Sequence, residues 1–262
     1  MTVWNDQVII VTGGSRGIGY ATAGCLVGAG ARVLLVARDP VATADAAATL
    51  SQKGPGEAHG LALTLTGCPE DGEAVCRAAF RQYGRITGLV NCAGGASVGT
   101  PLGLDWRRWQ EDFTVKFWGY LSLMRAVVPY LRQVGGGAIV NVAGVTGKDP
   151  NPRLAAATTI NGALRGLTKI LADEVAPWQI RVVNVNPGAT ETALLLQMAE
   201  GYARLDQISP DQALTRMRQT PRGRLTRPED IARLILFLLS DEAGMITGTS
   251  VDIDGGIHRG PA

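Results

Sequence analysis

Apolar residues fall along this chain in short, regularly spaced blocks. Residues 8–12, 32–37, 88–91, 138–142 and 181–185 are runs dominated by aliphatic side chains, and residues 61–65 and 250–253 read as two more. Between them lie stretches with helical spacing at 20–28, 42–52, 73–83, 106–133, 154–176 and 228–240. A strand that is apolar throughout must be covered on both faces, so its alternation with amphipathic helices predicts a parallel sheet between helical layers. Right-handed crossovers then give an α/β, doubly wound arrangement that binds ligands at the carboxyl ends of its strands. No repeat or linker interrupts residues 1–262, which predicts one domain.

Composition narrows the class. Hydrophobic residues make up 46% of the 262, enough for a large core. The 25 basic and 23 acidic residues leave a net charge of +2, so neither nucleic acid nor membrane is expected as a partner. The first six residues lack the basic-then-apolar run of a signal peptide, and no apolar run is long enough to span a bilayer. That predicts a cytoplasmic protein. Four cysteines without CxxC spacing, with only His59 and His258 as histidines, predict free thiols and no metal site.

The first apolar run leads into Thr12-Gly13-Gly14-Ser15-Arg16-Gly17-Ile18-Gly19, and a helical pattern follows. Strand, glycine loop and helix in that order allow a tight turn. They also present free N–H groups at a helix N-terminus, an arrangement suited to a pyrophosphate. The order makes a Rossmann-type dinucleotide-binding fold the expected one.

The spacing here is GxxxGxG, and TGGSRGIG resembles the cofactor loop of the short-chain dehydrogenase/reductase family. Asn91-Cys92-Ala93-Gly94 resembles that family's NNAG strand end. Asn184-Val185-Asn186-Pro187-Gly188 with Thr192 resembles its N-x-x-PG-x-x-x-T segment, and Gly223-Arg224 through Asp254-Gly255-Gly256 its closing stretch. The resemblance covers nearly the whole chain in the expected order. It implies cofactor contacts from Thr12, Gly13, Ser15, Arg16, Gly17, Ile18, Gly19, Arg38, Asn91, Ala93, Gly94, Pro187, Gly188 and Thr192. A carboxylate at the end of the second strand would bond the ribose 2′-OH of NAD; Ala37 stands there, followed by Arg38. With Arg16 in the loop, two guanidinium groups suit a 2′-phosphate and favour NADP(H) over NAD(H). The alternative is a pair of solvated surface arginines. The aspartate that the family places after the third strand, against the adenine, is Leu65 here.

Family members use a serine to polarise the substrate carbonyl, a tyrosine to donate its proton, and a lysine beside the tyrosine. An asparagine on the preceding long helix completes a relay. Anchored on the fifth strand, the serine position is Gly144. Anchored on residues 162–169, the YxxxK pair is Ala157 and Asn161; the asparagine position is Lys116. No tyrosine occurs between Tyr130 and Tyr202, and no lysine between Lys148 and Lys169, so shifting the register restores neither. Lysine and asparagine have thus exchanged places. With only four lysines in the chain, Lys116 and Asn161 become the candidate catalytic pair, set against a lysine whose stem packs on Trp118.

Lys148, Asp149 and Arg153 flank the expected site, and Thr146 offers a hydroxyl two residues from the serine position. Thr158 and Thr159 neighbour the tyrosine position, where helical threonines are usually satisfied by their own backbone. Trp106, Trp109, Phe113, Phe117 and Trp118 read as packing or subunit interface. Residues 189–221 are expected to form the substrate lid. Three functions stay open: an oxidoreductase on a small carbonyl or alcohol substrate with non-standard catalytic groups, a catalytically silent subunit, and a non-redox dehydratase or isomerase. The resemblance implies a homo-tetramer or dimer, with a hetero-oligomer containing an active family member as the alternative.

Overall fold

The computed structural model describes residues 3–258. Seven strands form one parallel sheet: β1 (Val8–Thr12), β2 (Arg32–Ala37), β3 (Glu57–Ala62), β4 (Gly88–Asn91), β5 (Gly137–Val142), β6 (Ile180–Pro187) and β7 (Thr249–Ile253). Their order is β3-β2-β1-β4-β5-β6-β7. The chain runs outward from β1 to β3, then returns to β4 on the other side of β1, so a crevice opens where the two directions part.

Both faces of the sheet are buried, as the apolar runs require. Val8, Ile10, Leu34 and Ile139 belong to one core with α3 (Pro69–Tyr83), α5 (Gly119–Gln133) and α6 (Ala155–Val175). Ile9, Val11, Leu35 and Val140 alternate with them. They pack on α1 (Gly17–Ala29), α2 (Pro40–Ser51) and α9 (Pro228–Leu239). Two further helices, α7 (Ala193–Asp206) and α8 (Pro210–Met217), lie within the expected lid segment. Among the described residues no helix is long and apolar enough to cross a membrane, and no His/Cys/Asp/Glu group is arranged for a metal.

Two elements differ from the sequence expectation. The third strand spans Glu57–Ala62, earlier than residues 61–65, because it is an edge strand paired only with β2. Its exposed positions carry no aliphatic run, and the leucines that follow it belong to the next loop. The expected helix 106–133 is interrupted: α4 (Trp106–Asp112) leads into a π-helical turn, Phe113–Trp118, before α5. Such turns frequently mark functional sites, and this one carries Lys116.

Asn91, Asn141 and Asn184 lie in register on β4, β5 and β6 and are completely buried. Asn91 Nδ2 donates to Asn141 Oδ1 (2.9 Å), and Asn141 Nδ2 to Thr168 Oγ1 (3.1 Å). Thr168 Oγ1 donates in turn to Asn184 Oδ1 (2.9 Å). This polar row crosses an otherwise apolar core, so each member depends on the next. Replacing Asn141 with alanine strands the amide of Asn91 and removes the donor to Thr168, which keeps only its bond to Asn184. The expected loss is about 1–3 kcal/mol, read as a lower urea midpoint with an unchanged slope.

Candidate active site

The loop after β1 is shaped for close approach. A Cβ on Gly13 (φ +66°) would lie 3.0 Å from the Cys92 carbonyl oxygen, and one on Gly19 only 2.3 Å from the Gly13 oxygen. Thr12 Oγ1 accepts from Cys92 N (3.0 Å) and Ala93 N (3.1 Å), fastening the end of β1 to the end of β4. Arg16 precedes α1 in an extended conformation, and no side chain caps the helix. Its first N–H groups therefore stay available to an anion, beside Ser15, Gly17 and Ile18. Thr192, beyond Pro187 and Gly188, brings its Cγ2 within 3.4 Å of where a Gly17 Cβ would stand.

Arg16 and Arg38 are exposed, and neither guanidinium has an ion-pair partner among the described residues. The acidic neighbour Asp39 is committed to capping α2, accepting from Ala42 N at 3.0 Å. Asn91 is placed inside the sheet and not in the cavity wall; the wall begins at Cys92. Leu65 is buried in the core, its side chain 3.2 Å from where a Gly119 Cβ would be.

A cavity of about 390 Å³ opens at the carboxyl ends of β4, β5 and β6. Ile18, Ala93, Gly94, Lys116, Gly144, Thr146, Ala157, Asn161, Pro187, Gly188 and Thr192 all line it. The sequence-derived pair is thus brought to one cavity, although the two side chains make no direct hydrogen bond. Lys116 Nζ donates to the Ala143 oxygen at 2.7 Å, and Asn161 Nδ2 to Thr146 Oγ1 at 2.9 Å. The lysine stem runs along Gly94, where a Cβ would sit 3.3 Å from Lys116 Cβ.

Burial pushes the Lys116 ammonium down to about 8, against the weaker opposing pull of the Asp112 carboxylate. Burial likewise pushes the neighbouring Cys92 thiol up to about 12, so it stays protonated. Tyr120 is held well above the ordinary phenol range by burial, and its hydroxyl donates to the Val142 oxygen at 3.3 Å.

Other flanking candidates lie elsewhere. Lys148 turns toward β7 and pairs with Asp252 at 3.0 Å, while Asp149 is exposed. Thr158 Oγ1 is spent on the backbone of Asn151 and Thr159 Oγ1 on the Ala155 oxygen. Trp109, Phe113, Phe117 and Trp118 pack ring against ring along the helix, outside the cavity.

Helices α7 and α8 contribute Leu194, Leu195, Met198, Tyr202 and Met217 to the cavity wall, none of which the sequence singled out. Asn151 Nδ2 donates to Tyr202 OH (3.1 Å), and Asp206 bridges Arg153 (3.1 Å) and Arg216 (3.5 Å), tying α7 and α8 to the loop before α6. Their only sequence signal was membership in residues 189–221, because contacts between segments far apart in sequence follow no local pattern.

The fold and crevice define a doubly wound dinucleotide-binding protein. The family model described as enoyl-(acyl carrier protein) reductase matches residues 13–258. A 2-(S)-hydroxypropyl-CoM dehydrogenase from Xanthobacter autotrophicus is 33% identical over 252 residues, 96% of each chain. L-sorbose reductase from Gluconobacter frateurii, solved with NADPH and L-sorbose, superposes with a TM-score of 0.89 at 29% identity, covering 97% of each chain. An NADPH-bound short-chain oxidoreductase from Pseudomonas aeruginosa PAO1, described as containing an atypical catalytic center, gives a TM-score of 0.88. It is 32% identical, over 98% of each chain. This chain belongs to the short-chain dehydrogenase/reductase family.

Proposed function

We propose that this protein is an NADP(H)-dependent oxidoreductase that interconverts a small carbonyl compound and its alcohol, with the Lys116 ammonium as proton donor. The observation that carries this reading is an ammonium in the wall of the cavity that Gly144 and Ala157 also line, the residues matched to the family's serine and tyrosine positions. The NADPH carried by the L-sorbose reductase and by the Pseudomonas neighbour supports the cofactor.

The residues present fit a dinucleotide. The uncapped α1 N-terminus and the glycine loop would take the pyrophosphate, while the unpartnered Arg16 and Arg38 would take a 2′-phosphate. Bound there, the cofactor supplies or accepts the hydride. The protein's task is the proton. Lys116 carries it on Nζ, and the Ala143 carbonyl fixes the direction from which it is offered. An acid titrating near 8 holds its proton at neutral pH and still releases it readily to a forming alkoxide. Leu194, Leu195, Met198 and Met217 line the lid side and limit access of water.

A second reading, a silent subunit partnered with an active family member, is favoured by the absence of a phenol at Ala157. Non-redox dehydration or isomerisation would need the same pocket without a cofactor-dependent rate. The exposed Trp106, Trp118 and Ile170 support assembly into a dimer or tetramer.

Calorimetric titration is expected to show NADP(H) bound at least about tenfold more tightly than NAD(H), the worth of one charge-assisted phosphate contact. Equal affinities would remove the argument from Arg16 and Arg38. Against a panel of ketones with NADPH, turnover is expected, with about 10²–10⁴ of its rate owed to the Lys116 acid. It should fall as pH rises through about 8, where Lys116 loses its proton. Lys116→Met should abolish it with NADP(H) affinity retained. Ordinary turnover unaffected by that substitution would refute the assignment, and no turnover beside tight binding would favour the silent subunit.

A further inference from the structure

The turn Val145–Gly147, closed by Gly147 N donating to the Gly144 oxygen (3.1 Å), folds directly over Asn161 on α6. Asn161 is 4% exposed. A Cβ at Gly144 would lie 2.7 Å from its Nδ2, and a Cβ at Gly147 would lie 2.7 Å from its carbonyl carbon. The amide therefore fills the space from which any side chain at position 144 would start. A side chain at position 144 would have to displace the Asn161 amide and adopt a φ of +156°; the hydroxyl present in this wall is that of Thr146, whose oxygen accepts from Asn161 Nδ2.

We propose that Thr146 is the hydroxyl that hydrogen-bonds the substrate's carbonyl or alcohol oxygen, and that Asn161 is its positioning residue. The proposal rests on reading the cavity as a carbonyl site, and its substrate class is aldehydes and ketones with their alcohols. The Asn161 N–H occupies a lone pair of Thr146 Oγ1 and polarises the O–H bond. The hydrogen on Oγ1 has no acceptor among the described residues, so it is free for a substrate oxygen. The cavity's other hydroxyls are differently committed. Tyr120 donates to Val142 O, Thr190 to Gly188 O and Thr192 to Thr190 O. Tyr202 also has an unassigned hydrogen, but it stands on the lid. Thr146 stands three residues from Ala143, whose oxygen holds the Lys116 ammonium. The hydroxyl and the carbonyl that holds the ammonium thus belong to one short segment.

The test is difference infrared spectroscopy of ¹³C-carbonyl acetophenone bound to the full-length protein without added cofactor. A saturable carbonyl band shifted to lower frequency is expected in the wild type. It should be lost in Thr146→Val and recovered in Thr146→Ser. Asn161→Asp should lose it as well, since a carboxylate there accepts the threonine hydrogen and takes it from the ligand. With NADPH present, Thr146→Val is expected to lower ketone turnover by about 10²–10³ and Thr146→Ser to restore it. No shifted band in the wild type, a band that survives in Thr146→Val, or one lost only in Tyr202→Phe would overturn the proposal. A shifted band behaving as expected in a protein without turnover would uphold Thr146 and refute the oxidoreductase reading instead.

Discussion

Where the pairing of β1 with β4 ends, Thr12 Oγ1 carries it one step further by accepting from two successive N–H groups, those of Cys92 and Ala93. Everything at the site is built outward from that junction. It lays Ala93 against Gly13, so the glycine loop and the β4 loop become one surface. The next residue, Gly94, leaves a channel for the Lys116 stem, and the ammonium at its end docks on the Ala143 carbonyl at the end of β5. Gly144 follows, bare because the Asn161 amide occupies its side-chain space, and that amide holds Thr146. A chain of contacts across three neighbouring strands thus connects a place for a pyrophosphate to a place for a substrate oxygen.

The cavity departs from solvent-exposed charge chemistry in one respect. Arg16 and Arg38 are free in solvent, where they can meet a phosphate, whereas Lys116 is held in the wall with a backbone carbonyl as its bonded partner. Desolvation of that one ammonium is the source of its depressed titration, because the Asp112 carboxylate acts in the opposite direction and more weakly. An exposed lysine at the same point of the π-helical turn would titrate normally and would be a poor acid at neutral pH.

Much of this was legible in the residues. Strands buried on both faces announce themselves as uninterrupted aliphatic runs, so six of the seven fell where expected. The edge strand β3 did not, since one exposed face dilutes its apolar signal. Lys116 and Asn161 could be singled out as a candidate pair once both segments were anchored. Their meeting in one cavity, with bonds to Ala143 and Thr146 and none to each other, could not. The π turn that carries Lys116 leaves no mark on hydrophobic periodicity. The turning of Asn91 into the core row, and the approach of Tyr202 from α7, depend on side-chain contacts far apart in sequence.

The central claim is that Lys116 is a desolvated ammonium facing the cofactor and substrate. It is tested most directly by NMR titration of protein labelled with ¹³Cε-lysine, in which four resonances report the four lysines. One resonance, absent from Lys116→Arg, should titrate near 8 and move when NADP⁺ is added, while Lys53, Lys148 and Lys169 do not respond to the nucleotide. A Lys116 resonance that titrates near the ordinary 10.5 and ignores NADP⁺ would contradict the account.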